Sequence, residues 1–370
     1  MSLTLDNGPR RGVVTVPGSK SHLHRLLIAN FLAGDRSFGV CEGDNDDIAA
    51  TKRCLAALSS GEPEPVLDCG ESGSTLRFLT PVAAALGRRA RYLRRGRLAL
   101  RPFREYATLE PGVHELPGDV SSQFVTGLLF ALPLLKGDSE IRFTSGLESR
   151  GYVDMTLRVL RDAGIEIGET ADGFRVPGCQ KYLPVAAKAE GDWSGAAFWY
   201  GMNALGSEID IRGLEADASA GGTVRAASAQ PDRAIASLCE ELPTEVEVSQ
   251  FPDLFPVLSV VAAGTPRTTA FTGIARLRLK ECDRVETMRE MLGTLGVNAD
   301  VDAESFIVKG IAGRFRGGEV RTFGDHRIAM AAAVAATRAG RPLTIDNPFC
   351  CSKSYPGFFE TFASLPRLHR

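Results

Sequence analysis

Chemistry is densest in Val16-Pro17-Gly18-Ser19-Lys20-Ser21-His22-Leu23-His24-Arg25, which runs straight into the apolar Leu26-Leu27-Ile28-Ala29. Pro17 and Gly18 break the strand-like run 12–16, and Ser19 or Ser21 can cap the helix that follows. Unpaired backbone N–H groups, hydroxyls and an ammonium group then meet at one helix start, which is a site for an anion. A nucleotide P-loop is excluded, because that motif needs Gly-Lys-Ser/Thr with a second glycine five residues earlier. Here Ser19 stands before the lysine. Taken alone, the stretch reads equally well as a capped helix carrying a surface lysine. Its recurrence down the chain argues for more.

Glu71-Ser72-Gly73-Ser74-Thr75-Leu76-Arg77, Gly118-Asp119-Val120-Ser121-Ser122-Gln123 and Gly324-Asp325-His326-Arg327 are built the same way. Lys20, Arg25, Arg77 and Arg327 are costly beside apolar helices unless something anionic pairs with them. Leu279-Lys280-Glu281-Cys282-Asp283-Arg284 puts two acids and two bases at another helix head, where dipole pairing is the plainer reading. Cys350-Cys351-Ser352-Lys353-Ser354-Tyr355-Pro356 offers a lysine that, taken alone, reads as solvent-facing, and two cysteines better suited to buried packing than to redox chemistry. Asp253, in Phe251-Pro252-Asp253-Leu254-Phe255-Pro256, is either a helix cap or a general base. Its apolar flanks predict a raised pKa.

These groups need elements to position them, and the sequence repeats one helix type six times, at 19–34, 73–87, 121–137, 192–206, 251–264 and 324–340. Each copy begins polar, continues rich in Ala, Leu and Val, and ends at glycine, the expected helix stop. Helices this apolar all round are buried. Amphipathic helices alternate with them at 46–58, 153–163, 231–241, 283–295 and 354–365, with strand-like runs such as 140–144, 208–211, 268–272 and 343–346 between. The unit is βαβαββ, six times over. Six units divide naturally into three and three. We expect one α/β domain at 18–189, and a second built from 190–370 plus residues 1–17, whose strand 12–16 pairs with the second half. A ligand then belongs in the interdomain cleft.

Composition sets the bounds. The 370 residues suffice for two full cores, with 44% hydrophobic and 24% charged residues. A net charge of −2 gives no reason to expect nucleic acid or a membrane as partner. Five scattered histidines show no metal-ligand spacing, and eight cysteines without a CxxC pair suit reduced thiols. No signal peptide or membrane-length apolar run is present in the sequence, so a cytoplasmic protein is expected.

Together these stretches resemble the 5-enolpyruvylshikimate-3-phosphate synthases (3-phosphoshikimate 1-carboxyvinyltransferases). The matching pieces are the 17–21 stretch with Arg25, Asp46-Asp47, Gly73-Ser74-Thr75-Leu76-Arg77, Arg101-Pro102 and Val120-Ser121-Ser122-Gln123-Phe124. Ser149 with Tyr152, Glu190-Gly191-Asp192, Asp253 with Pro256, Lys280 to Arg284, Asp325 to Met330, and Lys353 between two serines complete them. The resemblance implies the two-domain enolpyruvyl transferase fold, with three βαβαββ repeats per domain around buried parallel helices. It implies transfer of the enolpyruvyl group of phosphoenolpyruvate to the 5-hydroxyl of shikimate 3-phosphate, through a tetrahedral ketal, with no metal or organic cofactor, in a monomer. By resemblance, shikimate 3-phosphate is held by Lys20, Ser21, Arg25, Ser121, Ser122, Gln123, Ser149, Tyr152, Asp253 and Lys280. Phosphoenolpyruvate meets Lys20, Gly73, Arg101, Gln123, Arg284, Arg327 and Lys353. Asp253 takes the hydroxyl proton, and Glu281, aided by Lys20, handles the proton at the methylene carbon.

Four departures stand out. The segment between Asp47 and Glu71 is short, which trims the first repeat. Glu71 and Arg276 replace the usual asparagines, and Phe78 the usual proline. The sister transferases acting on UDP-N-acetylglucosamine are the nearest alternative. They carry a cysteine shortly before their Arg-Pro, and the stretch 87–101 has none. A non-catalytic relative is expected to lose Asp253, Glu281 or Lys20, and all three are present.

Overall fold

The computed structural model describes residues 1–214 and 228–368. The chain forms two compact units, Met1–Ser19 together with Glu190–Arg370, and Lys20–Ala189. It opens with β1 (Leu3–Leu5) and β2 (Arg11–Thr15), then leaves the first unit.

The unit Lys20–Ala189 holds α1 (Lys20–Leu32), α2 (Asp46–Ser59), β3 (Val66–Asp68), α3 (Gly73–Ala85) and β4 (Arg91–Leu93). It continues with β5 (Val113–Leu116), α4 (Ser122–Ala131), β6 (Ser139–Phe143), α5 (Arg150–Asp162), β7 (Gly168–Thr170) and β8 (Gly173–Val176). The stretch from β5 to β8 is a complete βαβαββ unit, with sheet order β5-β6-β8-β7, the first pair parallel and the other two antiparallel. β3, α3 and β4 repeat its front half as a parallel pair. α1 and α2 follow one another with no strand between them, which is how far the first repeat is trimmed.

Leu76, Phe78, Leu79 and Val82 of α3 lie in one buried cluster with Val125, Leu128, Leu129 and Phe130 of α4. Each such side chain contributes about 1.5–3 kcal/mol on burial. Two residues set how closely these helices approach. Pro81 has no N–H to give the carbonyl four residues back, that of Arg77. Gly127 fills the space beside that carbonyl: a Cβ there would sit 2.2 Å from the Arg77 oxygen and 2.8 Å from Pro81 Cγ. The backbones therefore touch where a side chain would hold them apart.

The other unit resumes with α6 (Trp193–Ala204), β9 (Glu208–Arg212), α7 (Ile235–Glu240), β10 (Glu245–Glu247), α8 (Phe255–Ala263) and β11 (Thr268–Thr272). Then come α9 (Arg284–Thr294), β12 (Asn298–Val301), β13 (Ser305–Lys309), β14 (Gly318–Val320), α10 (His326–Arg338), β15 (Leu343–Ile345) and α11 (Phe358–Ser364). β10 to β13 copy the complete unit, with order β10-β11-β13-β12 and the same directions. β14, α10 and β15 make a parallel pair, and β1 from the chain start lies antiparallel on β15, where the fourth strand of a complete unit would be. β2 pairs in parallel with β9, as the 12–16 strand was expected to do with the second half. The whole Lys20–Ala189 unit is thus inserted in one βαβ crossover, between β2 and α6. Pro17 O accepts from Asp192 N at 2.9 Å and Ser19 N donates to Glu190 O at 2.6 Å, so the departing and returning strands are bonded side by side.

The expected six buried helices are all present; all nine residues of α8 are buried, as are residues 326–337 of α10. Six full βαβαββ units are not. Among the described residues the four-stranded sheet is complete twice, once in each unit, and elsewhere shortened. The expected helix 354–365 is a 3₁₀ turn, Pro348–Lys353, followed by α11, because Pro356 and Gly357 intervene. The first turn of 231–241 is likewise 3₁₀. None of the eight cysteines forms a disulfide. No helix among the described residues is long and apolar enough to cross a membrane.

Candidate active site

In the unit Lys20–Ala189, polar groups gather at the head of α3. Ser72 caps the helix by accepting from Thr75 N, and Gly73 is its first residue. A Cβ on Gly73 would lie 2.7 Å from Arg77 Nη1, 3.3 Å from Arg101 Nη1 and 3.4 Å from Gln123 Oε1. Three polar side chains thus close around a residue that has none. Arg77, one turn along α3, donates to Gln123 Oε1 at 2.6 Å and to the Pro102 carbonyl at 2.9 Å, with its guanidinium over the Phe124 ring. Gln123 in turn donates to Ser74 Oγ at 3.0 Å, while Ser121 caps α4 by accepting from Gln123 N. The Gly127 contact brings α4 close to α3 one turn beyond Gln123, so that Gln123 and Arg77 meet.

Lys20, at the first position of α1, donates to Asp47 Oδ2 at 2.8 Å, with side chains only 14% and 5% exposed. The Asp47 carbonyl accepts from Thr75 Oγ1, which ties the pair to the head of α3. Arg25 is buried deeper. It donates to the carbonyls of Ser21 and Tyr152, at 2.5 and 2.8 Å, and to Thr156 Oγ1 at 2.9 Å. Its face lies over the Phe78 ring, and burial pushes its pKa down to about 9. Arg25, expected to hold shikimate 3-phosphate, therefore joins α1 to α5. Ser149, before α5, is buried with φ of 55°, a left-handed conformation that costs energy in a residue with a Cβ. Ser122 is buried at the first position of α4.

The other unit carries a network of alternating charge. Arg284 opens α9 and is 1% exposed. Its Nε donates to Asp325 Oδ2 at 2.8 Å, its Nη2 to Glu281 Oε2 at 3.1 Å, and its Nη1 to Asp253 Oδ1 at 2.7 Å. Arg327, near the start of α10, donates through Nη2 to Asp253 Oδ2 at 2.8 Å and through Nη1 to the Ser194 carbonyl. Asp325 is fully buried and caps α10 by accepting from Arg327 N. Burial pushes the Asp325 carboxyl up, but the Arg284 guanidinium overrides it and holds the pKa below the usual range. Lys280 is pushed down to about 8 by burial, partly offset by Asp253.

Asp253 does not behave as its apolar flanks suggest. Residue 254 is the cap position of α8 and no side chain caps it, so Asp253 is not the N-cap. Burial alone would raise its pKa; Arg327, Arg284 and Lys280 outweigh burial and hold it well below the usual carboxylate range. Lys353 is buried at the end of its 3₁₀ turn, not solvent-facing. Arg276 donates to the Ser249 carbonyl at 2.8 Å.

Lys20, Ser21, Arg25, Gly73, Arg101, Ser121, Ser122, Gln123, Ser149 and Tyr152 belong to the Lys20–Ala189 unit; Asp253, Lys280, Glu281, Arg284, Arg327 and Lys353 belong to the other. Asp47, Arg77 and Asp325 were not among the expected site residues, although all three stand in stretches singled out above. The signal was the need of each buried cation or helix head for a partner. Among the described residues no group of three or more His, Cys, Asp or Glu side chains could hold a metal ion.

Known proteins resemble the chain over most of its length. A family model described as EPSP synthase (3-phosphoshikimate 1-carboxyvinyltransferase) matches residues 100–362. The 3-phosphoshikimate 1-carboxyvinyltransferases of Clostridium perfringens and Clostridioides difficile are 36% and 34% identical to the chain, each alignment covering 96% of it and at least 95% of the relative. An EPSP synthase structure from Acinetobacter baumannii superposes with a TM-score of 0.69 at 20% identity, over 97% of both chains. The enolpyruvyl transferase NikO from Streptomyces tendae gives 0.67 at 15% identity, over 99% of this chain and 98% of its own.

Proposed function

The chain belongs to the EPSP synthase (3-phosphoshikimate 1-carboxyvinyltransferase) family, and from that premise we infer how its residues divide the work of the reaction. It transfers the enolpyruvyl group of phosphoenolpyruvate to the 5-hydroxyl of shikimate 3-phosphate and releases phosphate. In the addition step the hydroxyl oxygen bonds to C2 of phosphoenolpyruvate, the hydroxyl proton leaves and C3 gains a proton. In the elimination step the C2–phosphate bond breaks and C3 loses a proton. Both substrates are multiply anionic, so the cation-rich helix heads answer their charge.

Our assignment gives the carboxylate of phosphoenolpyruvate to Arg284 and Arg327, and its remaining oxygens to Lys20, Arg101, Gln123 and Lys353, with Gly73 leaving room for the approach. Arginine suits the carboxylate because its planar fork offers paired donors. Shikimate 3-phosphate goes to Ser21, Arg25, Ser121, Ser122, Gln123, Ser149, Tyr152 and Lys280, with Lys20 and Asp253 reaching its reacting end. Asp253 is the base for the 5-hydroxyl, and Glu281 with Lys20 serves the proton at C3. We add Asp325 and Asp47 as the residues that orient Arg284 and Lys20. We also propose a cytosolic monomer without nucleic-acid partners, in keeping with the near-neutral charge.

One observation supports this reading above the others: two buried arginines from separate helices already share one carboxylate, that of Asp253. The test is phosphate release with both substrates present, repeated with UDP-N-acetylglucosamine as acceptor. Release with shikimate 3-phosphate alone is the expected result. Release with the nucleotide sugar in its place would overturn it.

A further inference from the structure

Asp253 meets two demands that conflict. A base must accept a proton, yet each of its oxygens is held by a different arginine, Arg284 Nη1 at 2.7 Å and Arg327 Nη2 at 2.8 Å. These are charge-assisted bonds, which favour the ionised acid and oppose its protonation. We propose that Asp253 is a stand-in, occupying the carboxylate seat of phosphoenolpyruvate in the free enzyme, and that the arriving donor displaces it and thereby makes it a base. The proposal rests on the assignment of the donor carboxylate to Arg284 and Arg327, and adds what that binding does to the third member of the cluster.

Several features favour exchange over a permanent bond. Arg284 does not need Asp253 to stay buried and charged, because Asp325 and Glu281 hold its other nitrogens. Arg327 keeps the Ser194 carbonyl. Both guanidiniums are therefore fixed from behind, at 1% and 4% exposure, while the acid in front of them is 24% exposed. Of the three carboxylates on Arg284, Asp253 is the most exposed, ahead of Glu281 at 16% and Asp325 at 0%. Nor is Asp253 tied to its own helix, since it caps no N–H of α8.

Charge points the same way. Facing Asp253 are Arg284, Arg327 and Lys280, with Glu281 and Asp325 on the other nitrogens of Arg284, Arg276 beside Lys280 and His326 beside Asp325. A donor carboxylate that takes the arginines adds one negative charge to this cluster. Proton uptake by Asp253 relieves it, and the substrate hydroxyl is a source of that proton. Burial, which raises the carboxyl pKa, then acts unopposed by the two arginines that had overridden it.

The test is binding of phosphoenolpyruvate alone, by titration calorimetry, to the full-length wild type, to Asp253→Asn and to Asp253→Ala. The two variants guard against the Asn amide mimicking the acid and against either one failing to fold. Removing the competitor should tighten binding about tenfold or more, the scale of one charge-assisted bond no longer competed away, while turnover falls. The wild type supplies a second readout. At pH 5, titrations in buffers of different ionisation heat should show proton uptake beyond that seen with Asp253→Asn. Equal or weaker binding in both variants, or identical proton uptake, overturns the exchange. A wild type inert in phosphate release with both substrates overturns the underlying assignment instead, whatever the binding data show.

Discussion

Gly73→Ala separates the site from the fold more cleanly than other single changes. The new methyl carbon would begin 2.7 Å from Arg77 Nη1 and 3.3 Å from Arg101 Nη1, so the Arg77 end must retreat by several tenths of an ångström. That motion works against the 2.6 Å bond from Arg77 to Gln123 Oε1. A bond to a charged group contributes about 1.5–3 kcal/mol. Because the guanidinium can shift while keeping the Pro102 carbonyl and the Phe124 ring, we expect about 1–2 kcal/mol of it to be lost. This is roughly a 5–30-fold rise in KM for phosphoenolpyruvate, at about 1.4 kcal/mol per decade. By the family resemblance, glyphosate should inhibit the wild type and lose more from Gly73→Ala than the substrate does. The fold should not suffer, since alanine at a first helical position is favoured over glycine by up to about 1 kcal/mol. Steady-state kinetics, inhibitor competition and a thermal melt decide the matter together. An unchanged KM with unchanged glyphosate selectivity, or a melting point lowered by several degrees, would show that Gly73 is not what makes room for phosphoenolpyruvate.

Lys20→Met takes the ammonium from the buried Asp47 carboxylate, which costs about 3 kcal/mol or more. The double variant with Asp47→Asn should recover most of that stability in urea melts but none of the activity. Gly127→Ala pushes a methyl onto the Arg77 carbonyl and should lower the melting point by several degrees. It should also raise KM for phosphoenolpyruvate, because the spacing of α3 and α4 is what brings Gln123 to Arg77; an unaffected KM would show that the pair adjusts independently. Lys280, with its pKa near 8, is cationic below that pH and neutral above it, so kcat/KM for shikimate 3-phosphate should fall as pH rises through about 8. Lys280→Arg should move that limb upward, and an unmoved limb assigns it elsewhere. Stability runs the other way. Between about 8 and the ordinary 10.5 the unfolded chain holds more protons than the folded one, so stability gains with pH there in the wild type, measured against Lys280→Met.

The buried helices were legible because their signal is local: an apolar run, a polar head and a terminal glycine lie within one stretch of chain. So was the pairing of strand 12–16 with the second half, once the repeats suggested where the chain must close. The sheets were less legible. β3, β4, β7 and β14 are three residues long. Too short for periodicity, they are held by partners more than by their own sequence. β1 is a further case, since only pairing with β15, at the far end of the chain, makes it a strand. The environment of Asp253 was illegible for the same reason. Its neighbours in sequence are apolar and argue for a raised pKa, whereas the groups that govern it stand at positions 284 and 327. Taken alone, Lys353 reads as solvent-facing for the same reason: a helix-start lysine looks exposed until the packing around it is known.

The bonded neck at Pro17, Ser19, Glu190 and Asp192 has a consequence for protein engineering. It makes Lys20–Ala189 a cassette whose two ends are adjacent. The entropy of closing the loop between them grows only with the logarithm of its length, so the neck is nearly indifferent to how much chain it carries. A trimmed first repeat therefore costs β2 and α6 nothing. By the same logic, Ser19 could be rejoined to Glu190 through a short turn, leaving the β2–β9 pair intact, and the excised cassette could be expressed with termini already suited to circular permutation.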